Sequence, residues 1–167
     1  MEEINAYFSQ IYDQYIKKIY RFIYLKVSSV ETAEDLSSDV FLRLYRHISK
    51  NSPEIENPQA FLYQIARNVV ADHYRGQKIS VVSIEKTTIE IEDIGDPTKA
   101  QGEISLEMDR IKQALTLLQD DYQDLIIWRY IDELTVPEIA QITGKTEENV
   151  RVGVHRALQA LKGKVSA

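Results

Sequence analysis

Carboxylates and an imidazole at short spacings are the side chains here best suited to chemistry. Asp35 and Asp39 lie four residues apart, Asp120, Asp121 and Asp124 crowd together, and His73 stands by itself. Such groups could hold a metal ion or pass a proton. Each of them, however, falls on an expected helical face or at an expected helix start, where acids serve solvation and complement the helix dipole. There is no glycine loop to cradle a phosphate, no histidine-rich ligand spacing and no cysteine. No catalysis, no bound metal and no cofactor are therefore expected. A second set (Asn149, Arg151, His155 and Arg156) suits a different task, hydrogen bonding to phosphates and base edges, and it needs elements that hold it in register.

The chain has 167 residues, 44% of them hydrophobic and 28% charged, enough for one good core or two small ones. No apolar run approaches the roughly 18 residues of a membrane span, so no stable membrane insertion is expected. The acidic start Met1-Glu2-Glu3 lacks the basic region of a signal peptide. The expected location is cytoplasmic. The formal net charge is −6, which alone argues against gripping free DNA by phosphate neutralisation. The distribution changes that reading, because residues 149–167 carry Arg151, Arg156, Lys162 and Lys164 and no acid. An acidic chain with a basic end suggests two kinds of contact surface.

Hydrophobic spacing is helical almost throughout. Phe8, Ile11, Tyr15, Ile19 and Phe22 give one stripe between about Ile4 and Val27. Ser28 with Glu31 predicts a capping box, and Leu36, Val40, Phe41, Leu44 and Ile48 give a second stripe. Asn57-Pro58 predicts a cap followed by proline in the first turn. The third helix carries Phe61, Leu62, Ile65 and Val69 and is expected to stop at Gly76. Residues 77–103 hold no helical period. Their isoleucines stand among Glu85, Glu90, Glu92 and Asp93, the composition of an acidic flexible linker or of a short strand formed against a partner. Beyond it, Ile104–Leu118 and Asp121–Ile131 show helical spacing again. Thr135 with Glu138 forms another capping box, Gly144 breaks the helix begun there, and Thr146 caps a last one. The expected fold class is all-α: three helices in residues 1–76, a linker over 77–103 and four helices in 104–167.

Residues 136–155 carry the pattern of a helix-turn-helix. Ala140 is a small residue where two helices would cross, Gly144 suits a left-handed turn, and Val150 would lock the second helix down. If that helix enters a major groove, Glu147, Glu148, Asn149, Arg151, Val152 and His155 face base edges. Glu147 and Glu148 also complement the helix dipole. Arg151 and Arg156 are the side chains suited to phosphate or guanine.

Ala33-Glu34-Asp35-Leu36, followed by Phe41-Leu42-Arg43-Leu44-Tyr45, resembles the second region of sigma-70-family factors. The stretch Asn57–Asn68 looks like that region's promoter-reading helix, and Asp72-His73-Tyr74-Arg75 like its end. Leu125–Lys162 is similar to the family's fourth-region helix-turn-helix. Order, spacing and short linker match the compact extracytoplasmic-function (ECF) group. The resemblance implies a dissociable transcription initiation factor that binds core RNA polymerase, places it on promoter DNA and helps open the duplex. An anti-sigma factor is a further partner the family implies. Low charge then has a physical use: a factor holding DNA tightly alone would be lost on the genome's excess of non-specific sites.

By position, the resemblance assigns Asp35, Ser38, Asp39, Leu42 and Arg43 to the core polymerase face. It assigns the loop 49–56 and the third helix to an unstacked base of the downstream promoter element, which stacking and edge hydrogen bonds must compensate. Asn68 can donate and accept there, Phe61 and Ile65 are apolar walls or core, and Arg67, His73 and Arg75 could meet phosphates. Tyr63 and Tyr74 could stack on bases, although most of the eight tyrosines before residue 75 fall in the core stripes. The upstream element falls to Thr146, Glu148, Asn149, Arg151, Val152, His155 and Arg156. There are departures from the family pattern. Ser37-Ser38 replaces its usual Val-Gln, Gln64 stands where a basic residue is common, and Val152, Gly153 and Leu158 replace Ser, Arg and Arg. The last helix is thus less basic than the resemblance alone implies. A dimeric helix-turn-helix regulator independent of core polymerase is the alternative; it accounts for residues 104–167 but not for Ala33–Arg75.

Overall fold

A computed structural model describes residues 2–27, 29–50, 54–79 and 103–166. The chain divides into two compact units, Met1–Gly95 and Asp96–Ala167. Every described element is helical. Of the expected linker 77–103, residues 77–79 belong to the third helix and Glu103 opens the fourth; the rest lies outside the described residues.

The first unit packs three long helices, α1 (Glu2–Lys26), α2 (Val30–Lys50) and α3 (Pro58–Ile79). Their apolar stripes meet in one core. Ile11, Ile19, Phe22 and Ile23 come from α1, Val40, Phe41, Leu44 and Ile48 from α2, and Leu62, Tyr63, Ala66, Val69 and Val70 from α3. Each large apolar side chain so buried contributes roughly 1.5–3 kcal/mol. Tyr63 is fully buried and sets its ring edge-on against Phe22, with centroids 5.5 Å apart. It is core, and the base-stacking role considered for it is excluded. Tyr74 donates its hydroxyl hydrogen to the Lys26 carbonyl, tying the far part of α3 to the last turn of α1. Lys26 itself is buried, its ammonium 5.6 Å from the centre of the Phe22 ring.

Two boundaries differ from those expected. The cap of α2 is Ser29, whose Oγ accepts from the Thr32 amide at 3.0 Å, rather than Ser28. Counting three residues on from Ser29 reaches a free first-turn amide, the geometry a side-chain cap requires. At the other end, α3 runs through Gly76 to Ile79. A glycine costs a helix only about 1 kcal/mol, too little by itself to end one. The cap expected at Asn57 is present, its Oδ1 accepting from the Ala60 amide at 3.1 Å.

The second unit uses shorter pieces: α4 (Glu103–Leu115), α5 (Asp120–Ile126), α6 (Val136–Thr143) and α7 (Glu147–Ser166). Residues 124–128 are five consecutive buried positions, so this segment threads the middle of the unit. A helix covered on all sides needs no amphipathic period. Over Ile127–Ile131 it widens into a π-helix, the Asp132 amide reaching back to the Ile127 carbonyl at 2.8 Å. Glu133 then adopts a left-handed conformation, φ 58°, and the chain turns into α6.

Candidate functional site

Three surfaces carry the residues singled out by sequence. On α2, Asp35, Ser38, Leu42 and Arg43 are exposed and Asp39 is half-buried. Their three-, four- and seven-residue spacings put them on one stripe, opposite the buried Val40, Leu44 and Ile48. Arg43 grips Asp39 with two parallel hydrogen bonds, both 3.2 Å. An exposed pair of this kind contributes at most about 1 kcal/mol to stability, so its effect is to fix the shape of a charged surface. Leu42 adds an apolar spot, 48% exposed, beside that pair. Beneath the stripe Ser37 is buried, and its Oγ reaches no hydrogen-bond partner among the described residues.

The α3 candidates divide by helix rotation. At about 100° per residue, Phe61, Ile65, Asn68 and Arg75 fall within an arc of about 80°. Of these, Asn68 and Arg75 are exposed while Phe61 and Ile65 are half-buried. Arg67 and His73 lie about 120° from that arc's Phe61 and about 120° from each other; the helix does not bring them into one site. Arg75 is paired with Asp72 at 2.7 Å. Burial lowers the His73 pKa below its usual 6.5, and the ring packs edge-on to Tyr74 with centroids 5.4 Å apart. At neutral pH His73 is therefore an uncharged donor or acceptor rather than a cation.

Two further residues belong to this surface and were not singled out. His47, in the last turn of α2, lies against Phe61 with ring centroids 4.7 Å apart. Tyr7, near the start of α1, accepts the Ile55 amide at 2.9 Å and so holds the backbone that leads into α3. Nothing local marks either residue. Histidine or lysine in a last turn suits the helix dipole, and Tyr7 is one aromatic in a crowded stripe.

The third surface is the helix-turn-helix of α6 and α7. The Thr135 hydroxyl accepts from the Glu138 amide at 3.2 Å while Glu138 accepts from the Thr135 amide at 2.8 Å, the expected capping box. Gly144 is left-handed, φ 74°, and its amide closes α6 on the Ala140 carbonyl. Thr146 accepts from the Asn149 amide at 3.1 Å and starts α7. Ile139, Ile142, Val150, Val154 and Ala157 are buried between the helices; Ala140 is only half-buried. Thr146, Glu148, Asn149, Arg151, Val152, His155 and Arg156 are all exposed. Arg151 sits 3.5 Å from Glu147, a loose surface pair that leaves its other donors available. Gly153 marks a close approach: a Cβ there would stand 3.0 Å from Leu125 Cδ1. Across α5, Asp120, Asp121 and Asp124 bring carboxylate oxygens within 4.8 Å of one another. Asp120 and Asp121 stand in the first turn of α5, where the helix dipole accounts for them; Asp124, a turn further on, is buried and partnered.

Among the described residues, no helix is long and apolar enough to cross a membrane. Comparison with known proteins gives two family matches, Sigma-70 region 2 over residues 11–79 and Sigma-70, region 4 over residues 108–161. The ECF RNA polymerase sigma factor SigW of Bacillus subtilis is 32% identical over 164 residues, covering 93% of this chain and 87% of SigW. The ECF RNA polymerase sigma factor BldN of Streptomyces coelicolor is 33% identical over 157 residues, 92% of this chain; the chain spans 58% of BldN's length. The sigma factor RpoE of Bartonella quintana, solved in complex with the anti-sigma factor NepR, shares the fold with a TM-score of 0.71 at 23% identity, covering 96% of this chain and 97% of that one.

Proposed function

Because this chain belongs to the ECF group of the sigma-70 family, we propose that it is a transcription initiation factor that binds core RNA polymerase and directs it to specific promoters. Residues 1–76 dock on core and read and open the downstream element, residues 77–103 are an acidic connection, and residues 104–167 read the upstream element. It works in the cytoplasm and performs no catalysis of its own. Regulation by an anti-sigma factor is supported by the shared fold with RpoE, which was solved bound to one.

The observation that carries this reading is the α2 stripe. An exposed Leu42 beside a braced Asp39–Arg43 pair, with Asp35 one turn back, offers what a protein partner with basic side chains needs: an apolar contact and fixed opposite charge. The net charge of −6 fits the same picture, since DNA affinity then waits on core. Asp35→Lys with Asp39→Lys is expected to abolish co-elution with core while circular dichroism stays unchanged. Retained co-elution refutes the docking face. Run-off transcription with purified core on a pooled promoter library tests the function itself. Specific, core-dependent transcripts are expected, and their absence would leave the chain with some other role.

For the first unit, Asn68 is the base-contacting residue of choice, exposed on the same arc as Phe61 and Ile65. Asn68→Ala is expected to impair duplex opening more than closed-complex formation. Equal effects on both steps would remove it from that role.

A further inference from the structure

One apolar side chain of α7 stands in an unusual place. Around α7, Val152 lies about 140–160° from the buried Val150, Val154 and Ala157. It therefore points almost straight away from the core, and it is 42% exposed. Glu148 and His155 flank it on one side and Asn149 and Arg156 on the other, all exposed and polar. The outward arc of the reading helix has an aliphatic centre within a polar frame.

On the Arg156 side the surface is concave. A cavity of about 340 Å³ has Asn149, Val152, Gly153 and Leu125 in its lining, with Lys145 and Arg156 as its cations and Asp121 as its one acid. Gly153 contributes no side chain to fill it, and a Cβ there would press on Leu125. Two cations against one carboxylate leave this rim net positive, and with the Asn149 amide it can seat a phosphate strand. A strand held there leaves Val152 as the central side chain directed at base edges.

In the major groove, base pairs present donors and acceptors throughout and a single apolar feature, the 5-methyl group of thymine. A valine has no hydrogen bond to offer and can discriminate only through that group. We propose that Val152 reads a thymine methyl in the upstream promoter element, adding an apolar contact to this helix's polar ones as a source of sequence preference. The inference rests on the promoter-directing reading above.

Deoxyuridine differs from thymidine by that methyl alone. The probe is a promoter fragment recovered from the pooled library by run-off transcription, with each upstream thymine replaced singly by deoxyuridine. One replacement is expected to weaken binding by holoenzyme, made from core and the full chain, about fourfold, the value of one buried methyl. With Val152→Ser the same replacement is expected to have no effect, while co-elution with core is unchanged. Equal sensitivity to deoxyuridine in wild type and Val152→Ser assigns the methyl to another residue and overturns the inference. Normal transcription with no sensitive thymine overturns it as well and leaves the promoter-directing reading standing. Failure of core-dependent transcription from the whole pool overturns both.

Discussion

In the first unit three helices of 25, 21 and 22 residues share a wide apolar core, and each contributes several turns to it. In the second, helices of 7 and 8 residues are far too short to persist alone. They are held by a buried five-residue run, a capping box, a left-handed glycine and a threonine cap in quick succession. Long helices tolerate local faults because many contacts average over them. Short ones depend on particular atoms at their ends. The difference teaches where each unit is vulnerable, and substitutions can sharpen or break it.

The largest effect is expected from Trp128→Ala. The side chain is 1% exposed at the centre of the second unit, and such a truncation costs about 3–5 kcal/mol. Hydrogen exchange should show α5–α7 losing protection while α1–α3 keep theirs; loss in both would break the comparison. Next is a single exchange made at two glycines. Gly144→Ala places a Cβ in a left-handed turn that meets no neighbour, so its cost of about 1–2 kcal/mol is purely conformational. Gly76→Ala also meets no neighbour but lies within a helix, where it is expected to stabilise by up to about 1 kcal/mol. Denaturation midpoints moving in opposite directions support the contrast, and movement in the same direction would contradict it.

A smaller gain, about 1 kcal/mol, is expected for Ser37→Ala, which removes a buried hydroxyl that reaches no partner among the described residues. A lowered midpoint would show that the hydroxyl is satisfied. The smallest effect concerns pH. The folded His73 binds its proton less readily than the unfolded one because burial disfavours the charged ring. The associated stability is present above pH 6.5, the unfolded value, and is lost as pH falls below it towards the depressed folded pKa. His73→Gln should flatten that slope for the first unit, and an unchanged slope would assign it to other groups.

Legibility in the sequence divides along the same line. Where one residue type does one local job, the assignment stands: Asn57, Thr135 with Glu138, Gly144 and Thr146 cap what they were expected to cap. Adjacent Ser28 and Ser29 fit the same pattern, and only the position of a free amide separates them. The α2 and α7 surfaces were legible because an exposed arc is the complement of an apolar period. The α3 surface was legible in part. The family resemblance gathered Arg67 and His73 with Asn68, whereas helical rotation parts them. Tyr63 falls to the core, and His47 and Tyr7 join from other helices through contacts 14 and 48 residues away in sequence. The widened turn after Ile126 carries no sequence signal, since apolar residues face inward there whichever way the backbone winds.

That widened turn sets the angular phase of the chain beyond it. A hydrogen bond spanning five residues in place of four accommodates one residue more than an α-helical turn, worth about 100° of rotation. Removing one residue of 127–131 would let the turn close as a regular helix with the chain beyond it nearly in phase. Winding all five residues as a regular α-helix would instead swing Leu134 and the entry to α6 by about 100°. This short stretch behaves like the setscrew of the second unit: how tightly it winds decides which way α6 and α7 face.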